Sequence, residues 1–256
     1  VADDETFRYQ RLALPDAEQV PQNWIPMIDD CGILLRSRHW SNMISDMRFP
    51  DHAPFRGDMY LSRLLEGQRA WRNAVGNIGD SYLILAVDGE TFGHHHKNAF
   101  ADFLVPFFEE AQKRTAECRI VSLNDIFFSF KKIDMPREFL PEGSWSTSHE
   151  DMQNGIPYPL WAHPHNPFHV AWNKFFQHAF AYCGVHADDL QLQELMDSAF
   201  YSCSPWWATR DNPNDRKIAG WCLPMFKRIM ELASQEVRQE LVESYRAMQN
   251  FIEQNG

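Results

Sequence analysis

The residues best suited to chemistry stand together in Asp88-Gly89-Glu90-Thr91-Phe92-Gly93-His94-His95-His96. Two carboxylates two positions apart share a side if the backbone stays extended. Such a pair can divide acid, base and orienting roles between its members. The six residues before Asp88, Tyr82 to Val87, are all apolar and hold no Gly or Pro. That run suits a strand covered on both faces, as in a parallel sheet. Asp88 would then sit at the carboxyl end of the strand, the edge where α/β folds collect ligands. Gly89 and Gly93 permit backbone conformations that other residues resist. The plainer reading is a strand end and a turn, with acids there for local reasons.

Four chemistries compete for these residues. In glycoside cleavage one carboxylic acid protonates the leaving oxygen and a second carboxylate attacks the sugar or activates water. Asp88 suits the acid, because a partly buried carboxyl among aromatics is harder to ionise. Glu90 would orient or tune it. A metal site is the second chemistry. Seven of the 11 histidines fall in two clusters, His94-His95-His96 and His149, His163, His165, His169. Consecutive histidines cannot all face one ion from a regular element, and there is no H-E-x-x-H. His163 and His165 could share a face, or simply hydrogen-bond loops or sugar hydroxyls. Nucleophilic catalysis by Ser or Cys lacks a G-x-S-x-G elbow. A phosphate or dinucleotide site lacks both a P-loop and G-x-G-x-x-G.

The elements that position these residues follow from periodicity. Residues 1–25, with Pro15 and Pro21, read as an irregular lead-in. Cys31 to Leu35 is a short strand, and Arg36 to Ile44 after it reads on spacing alone as a solvated loop. Asp46 to Asp58 is a loop, Met59 to Ala74 a helix, and Asn77-Ile78-Gly79-Asp80 a turn. Asn98 to Thr115 is an amphipathic helix whose Pro106 kinks it or delays its start. Cys118 to Ser122 reads as a strand and Leu123 to Phe130 as a short helix. This alternation predicts a parallel α/β sheet or barrel over residues 1–133. Residues 134–169 form a long loop rich in Pro, Trp and His, and such loops are usually functional. Residues 170–256 are helical: Val170 to Tyr182, Asp188 to Ser202, and one or two helices from Trp221 to Asn250. Cys203 to Trp207 interrupts them, and a polar loop spans 208–217.

Composition narrows the partners. A chain of 256 residues, 44% hydrophobic, can bury one large core or two small ones. A net charge of −11 argues against nucleic acid and anionic membrane as partners. No apolar run reaches the roughly 20 residues of a membrane helix, and no secretory signal is expected. Five widely spaced cysteines without C-x-x-C favour reduced thiols in a cytoplasm. Nine Trp and 19 Phe mostly fill cores, but a surplus of Trp beside acids and His also suits a carbohydrate cleft.

The stretch Asp88 to His95 closely resembles a signature of glycoside hydrolase family 57, D-x-E-x-F-G-x after an apolar strand. That family holds α-amylases, 4-α-glucanotransferases and glycogen branching enzymes, which act with retention. The resemblance implies an incomplete (β/α)7 barrel, represented here by its C-terminal strands, followed by a helical bundle region. Asp88 would be the general acid/base. Arg36 to Ile44 is similar to the family segment R-x-x-x-L-S-D-x-I, with Trp40 for Leu and Asn42 for Asp, and places Arg36 in the cleft. Gly143-Ser144-Trp145-Ser146 resembles its G-S-W segment. Ser204-Pro205-Trp206-Trp207 is similar to S-D-W, with Pro205 in place of the acid. The implied roles are acid/base for Asp88, orientation for Glu90 and Arg36, and sugar subsites at His94, Trp145, Trp206 and Trp161. No metal and no cofactor are implied.

The resemblance covers only the second half of a family catalytic domain. The nucleophile Glu belongs on an earlier strand, and neither Glu142 nor Glu150, in the loop after the acid, can stand in for it. The first residue is Val rather than Met. The chain is therefore expected to be part of a longer protein, to meet its N-terminal half as a partner chain, or to have lost hydrolysis. The leading expectation is an α-glucan-active hydrolase or glucanotransferase with an oligosaccharide or polysaccharide substrate. The alternatives are a non-catalytic subunit or pseudoenzyme that binds through the Trp/His-rich loop, and a metal-dependent deacetylase-like hydrolase.

Overall fold

In a computed structural model of the chain, Tyr82 to Val87 lies extended between two apolar clusters. Its even residues, Tyr82 and Ile84, pack with Ile25, Leu34 and Ile126. Its odd residues, Leu83, Leu85 and Val87, pack against Ile44, Tyr60, Leu61 and Phe103. Both faces are covered, as the unbroken apolar run requires. The structure describes residues 2–3, 22–76, 79–140, 142–210 and 212–254. Most of the lead-in, Pro15 and Pro21 included, and Asn77-Ile78 of the turn lie outside the described residues.

The chain divides into two units, Val1–Trp145 and Ser146–Gly256. The first contains short strands and helices. Its strands are β1 (Ala2–Asp3), β2 (Trp24–Ile28), β3 (Cys31–Gly32), β4 (Leu35–Arg36) and β5 (Lys131–Asp134). Its helices are α1 (Arg38–Asp46), α2 (Gly57–Val75), α3 (Val105–Lys113) and α4 (Leu123–Ser129). Among the described residues β1 pairs β4 in parallel, and a three-stranded sheet runs β3-β2-β5, with β2 parallel to β5 and antiparallel to β3. This corrects the expected barrel. Among the described residues the chain is mostly helical with a small mixed sheet, and no barrel forms.

The reason is visible at each expected strand. Tyr82 to Val87 joins β4 through one parallel bridge, Ile84 to Arg36, where Ser37 N donates to Ile84 O at 2.9 Å. The chain then leaves β4 at once for α1, so no further rungs can form. Cys118 to Ser122 takes no part in the strand pairs among the described residues. Its Ile120 and Val121 are exposed, and Ser122 instead caps α4 through a reciprocal Ser122–Asp125 box. The solvated loop expected at Arg36 to Ile44 is in fact α1, with Arg38, Ser41 and Ile44 buried. Pro106 acts where expected. It lacks an N–H to donate, and the turn before it, Phe100 to Leu104, widens into a π-turn in which Val105 N reaches Phe100 O.

The second unit is helical: α5 (His149–Gln153), α6 (Pro167–Val185), α7 (Leu190–Ala199), α8 (Cys203–Trp207), α9 (Pro213–Ala219), α10 (Leu223–Leu232) and α11 (Gln235–Glu253). Phe168, Phe175, Ala179 and Cys183 share one face of α6 and pack on Phe226 and Ile229 of α10 and Leu241 and Met248 of α11. Phe175 stacks on Phe226 with centroids 4.3 Å apart. Such pairs contribute about 0.5–1.5 kcal/mol beyond their burial. The stretch after Trp221 breaks into two helices because Ser234 caps α11 by accepting from Val237 N. The expected interruption at Cys203 to Trp207 is itself helical, and α9 occupies the second half of the expected polar loop.

One position in the first unit tolerates no side chain. A Cβ on Gly57, at the start of α2, would collide with the carbonyl of Phe103 and come within 2.5 Å of Phe107 N. Here α2 meets the π-turn backbone to backbone. Gly57→Ala therefore destabilises the first unit by about 1–3 kcal/mol, read as a lowered urea midpoint.

Candidate functional site

The acidic turn is built on the end of the Tyr82–Val87 segment. Past Ile84 the backbone of Ala86 is held by side chains: Arg36 Nε donates to Ala86 O at 2.8 Å, and Ala86 N donates to Ser41 Oγ at 3.2 Å. Arg36 Nη2 also donates to Asn42 Oδ1 at 2.8 Å. Ser41 is fully buried. From the same helix start, Arg38 Nη2 donates to Ser144 O at 3.3 Å, next to Trp145. The segments Arg36 to Ile44, Tyr82 to His96 and Gly143 to Trp145 thus meet around the N-terminus of α1.

Beyond Val87 the chain does not stay extended. Gly89–Thr91 forms a tight 3₁₀ turn, with Thr91 N donating to Asp88 O. This removes the alternation that would have put the two carboxylates on one side. Asp88 and His94 are exposed, so the burial expected of a general acid is absent here. Glu90 is 74% exposed and reaches His95 Nε2 at 3.6 Å. The turn is anchored by buried Thr91, by Phe92 stacked on Phe103, and by His96 Nε2 on Ser45 O at 3.0 Å. Gly93 has φ 141°, a value that side chains rarely permit, whereas Gly89 takes no left-handed conformation. Trp145 is 51% exposed.

The second unit holds Trp161, Trp206 and the later histidines. Three side chains of the stretch before and at the start of α6 tie down α8 at three-residue intervals. Trp161 Nε1 donates to Ser202 O at 3.1 Å, His169 Nε2 to Pro205 O at 2.8 Å, and Asn166 Nδ2 to Ala208 O at 3.0 Å. Asn166 also caps α6 through its Oδ1, accepting from Phe168 N and His169 N, with Pro167 at the first helical position. Trp206 and Trp207, half-buried on the clamped helix, meet edge to face at 4.7 Å. Trp161 and Trp206 are therefore carried by one braced assembly. Asp88, Glu90, Arg36, His94 and Trp145 belong to the first unit.

His169 is fully buried and uses both ring nitrogens. Nδ1 accepts from His163 N at 3.0 Å, so the proton sits on Nε2, which faces Pro205 O. His165 N in turn donates to His163 Nδ1 at 3.2 Å. Both are thus engaged with backbone groups, and among the described residues no three His, Cys, Asp or Glu side chains converge as a metal set. The metal-dependent alternative has no ligand set to rest on there. All five cysteines are free. Burial pushes the Cys222 thiol up to about 11, and raises Cys183 and Cys118 as well, which makes them poor nucleophiles.

Sequence reasoning missed the parts that hold these sites. Ser41 and the clamp residues Asn166 and His169 act on backbone groups far along the chain. Asn166-Pro167 does carry a helix-start signature, which places the start of α6 before Val170. Comparison with family models, curated proteins and solved structures found no match. No helix among the described residues is long and apolar enough to cross a membrane.

Two predictions follow from the geometry. Ser41→Ala leaves the half-buried Ala86 N–H without its acceptor and costs about 1 kcal/mol in denaturant unfolding. His169 is held neutral first by desolvation, against the pull of Pro205 O, so its folded pKa lies below the unfolded 6.5. The unfolded chain binds the proton more readily, so this stabilisation is complete above about pH 6.5 and is lost as pH falls towards the folded pKa. His169→Gln keeps a donor and an acceptor but cannot titrate. Unfolding midpoints at pH 7.5 and 5.5 should differ less in that variant than in the wild type.

Proposed function

We propose that this chain carries the acid/base half of an α-glucan-active site of the retaining type, a hydrolase or glucanotransferase resembling glycoside hydrolase family 57. The observation that supports it most is the convergence around α1: Arg36 on Ala86, two residues before Asp88, and Arg38 on Ser144, beside Trp145. Three segments quoted for the resemblance lie far apart in the chain, and one helix start gathers them. Asp88 protonates the glycosidic oxygen as an upstream Glu attacks the anomeric carbon. The resulting carboxylate then takes a proton from water or from an acceptor sugar. Exposure of Asp88 in this chain is consistent with a cleft that closes only when the nucleophile-bearing polypeptide covers it. Arg36 holds the strand end that aims Asp88, and Glu90 with His95 flanks it. Five free thiols support a reducing, cytoplasmic setting, and the negative charge supports a neutral or locally recognised sugar over nucleic acid.

The exposure of Asp88 also favours a second reading, a non-catalytic subunit or pseudoenzyme that binds through the Trp/His-rich loop. Turnover of maltooligosaccharides decides between them, measured on the polypeptide joined to or mixed with its upstream nucleophile half. Asp88→Asn lowers kcat by about 10²–10⁴-fold if Asp88 is the acid/base. Near-normal turnover in that variant removes the catalytic assignment. Glucan binding without turnover in either protein selects the subunit.

A further inference from the structure

Arg210 is the residue for which neither spacing nor resemblance gives a role. Its guanidinium carbon lies 4.4 Å from the ring centroid of Trp206 and 4.9 Å from that of Trp207. The side chain is 50% exposed, and its ion-pair contact among the described residues is a long one, 4.0 Å to Asp215. Asp215 is buried and its Oδ2 already accepts from Asn212 Nδ2 at 2.8 Å. Arg210 is thus held by ring stacking, which leaves N–H donors open to solvent. The backbone beneath is fixed by the ties to Ser202, Pro205 and Ala208, and Arg210 N donates to Trp207 O at 3.2 Å. Pro205 stands where the resembling element has an acid. The position therefore presents two indoles and a cation, with Asp211 next in the sequence and the buried Asp215 carboxylate 4.0 Å from the guanidinium.

We infer that Trp206, Trp207 and Arg210 form a subsite for a glucose-based sugar that carries a negative charge, as a phosphate ester or a carboxylate. The inference rests on the sugar-binding reading of Trp206 given above. The indoles offer an apolar surface to the C–H face of a pyranose ring. The guanidinium offers paired, in-plane donors that match two oxygens of a carboxylate or phosphate. A neutral hydroxyl accepts from the same charged donors but brings no opposite charge and no second in-plane oxygen to complete the pair. The chain as a whole is acidic, so long-range attraction does not draw the anion in. Selectivity comes from the local donors and weakens as salt screens the half-exposed guanidinium.

Tryptophan-fluorescence titration of the full chain tests this with four probes: maltotriose, maltose 1-phosphate, a maltooligosaccharide ending in glucuronate, and inorganic phosphate. At least one charged sugar is expected to bind about tenfold or more tighter than maltotriose. The two charged probes show which anion is preferred. Arg210→Gln should erase the difference, Arg210→Lys should restore part of it, and Trp206→Ala should weaken every sugar. Circular dichroism of each variant against the wild type checks that the helices are intact. Equal affinity for neutral and charged sugars, unchanged in Arg210→Gln, overturns the charged subsite and leaves the glucan reading standing. Inorganic phosphate bound as tightly as the phosphosugar overturns it as a sugar subsite. No sugar bound by the wild type overturns both.

Discussion

The backbone of Ala86 is gripped by two side chains, Arg36 and Ser41, at the place where a parallel sheet would supply the next rung. Much of the first unit depends on that exchange. A buried peptide group must find partners, and Tyr82 to Val87 is buried on one face and partly buried on the other. After one bridge to β4 the neighbouring chain turns into α1, so the obligation passes from backbone to side chain. The guanidinium takes the carbonyl and the hydroxyl takes the N–H. A strand segment can thereby sit in the interior without a ladder. The same contacts fix where the acidic turn begins.

The second unit solves an equivalent problem by similar means. A helix of five residues has too few internal bonds to be stable by itself. Trp161, His169 and Asn166 take carbonyls at its start, middle and end, and turn α8 into a fixed platform. The histidine does this only as a neutral ring, because Nδ1 must accept while Nε2 donates. Residues that looked like metal ligands or sugar contacts in the sequence are, for His163 and His169, struts. Trp206, Trp207 and Arg210 are what the platform presents.

Legibility varied with the kind of signal. Long amphipathic helices were plain, as at Met59 to Ala74 and Val170 to Tyr182, since one apolar face recurs regardless of context. The effect of Pro106 was plain as well, because a missing N–H acts locally. β2 and β5 were not legible: each is short, and its pairing is decided by distant partners. Cys118 to Ser122 has the composition of a strand, yet it joins none of the strand pairs among the described residues, and Ser122 with Asp125 begins a helix instead. Of the candidate site, Asp88 and Glu90 stood out from types and spacing, whereas Trp206 entered only through the resemblance. Their supports, Ser41, Asn166 and His169, act across long sequence separations and leave no periodic trace.

The sequence by itself determined that Tyr82 to Val87 would be covered on both faces, because an unbroken apolar run has no polar side to give to water; that Asp88 after it would be exposed was not determined there. It determined the turn at Gly93, since φ 141° is open to glycine. Tertiary structure alone decided that this buried segment is not a strand of a barrel. Whether a strand has neighbours depends on where the rest of the chain runs, and α1 begins one residue after β4. Tertiary structure also decided that Asp88 and Glu90 do not share a side. Carboxylate alternation holds only for extended backbone, and the chain leaves that state at Gly89, where nothing pairs with it any longer.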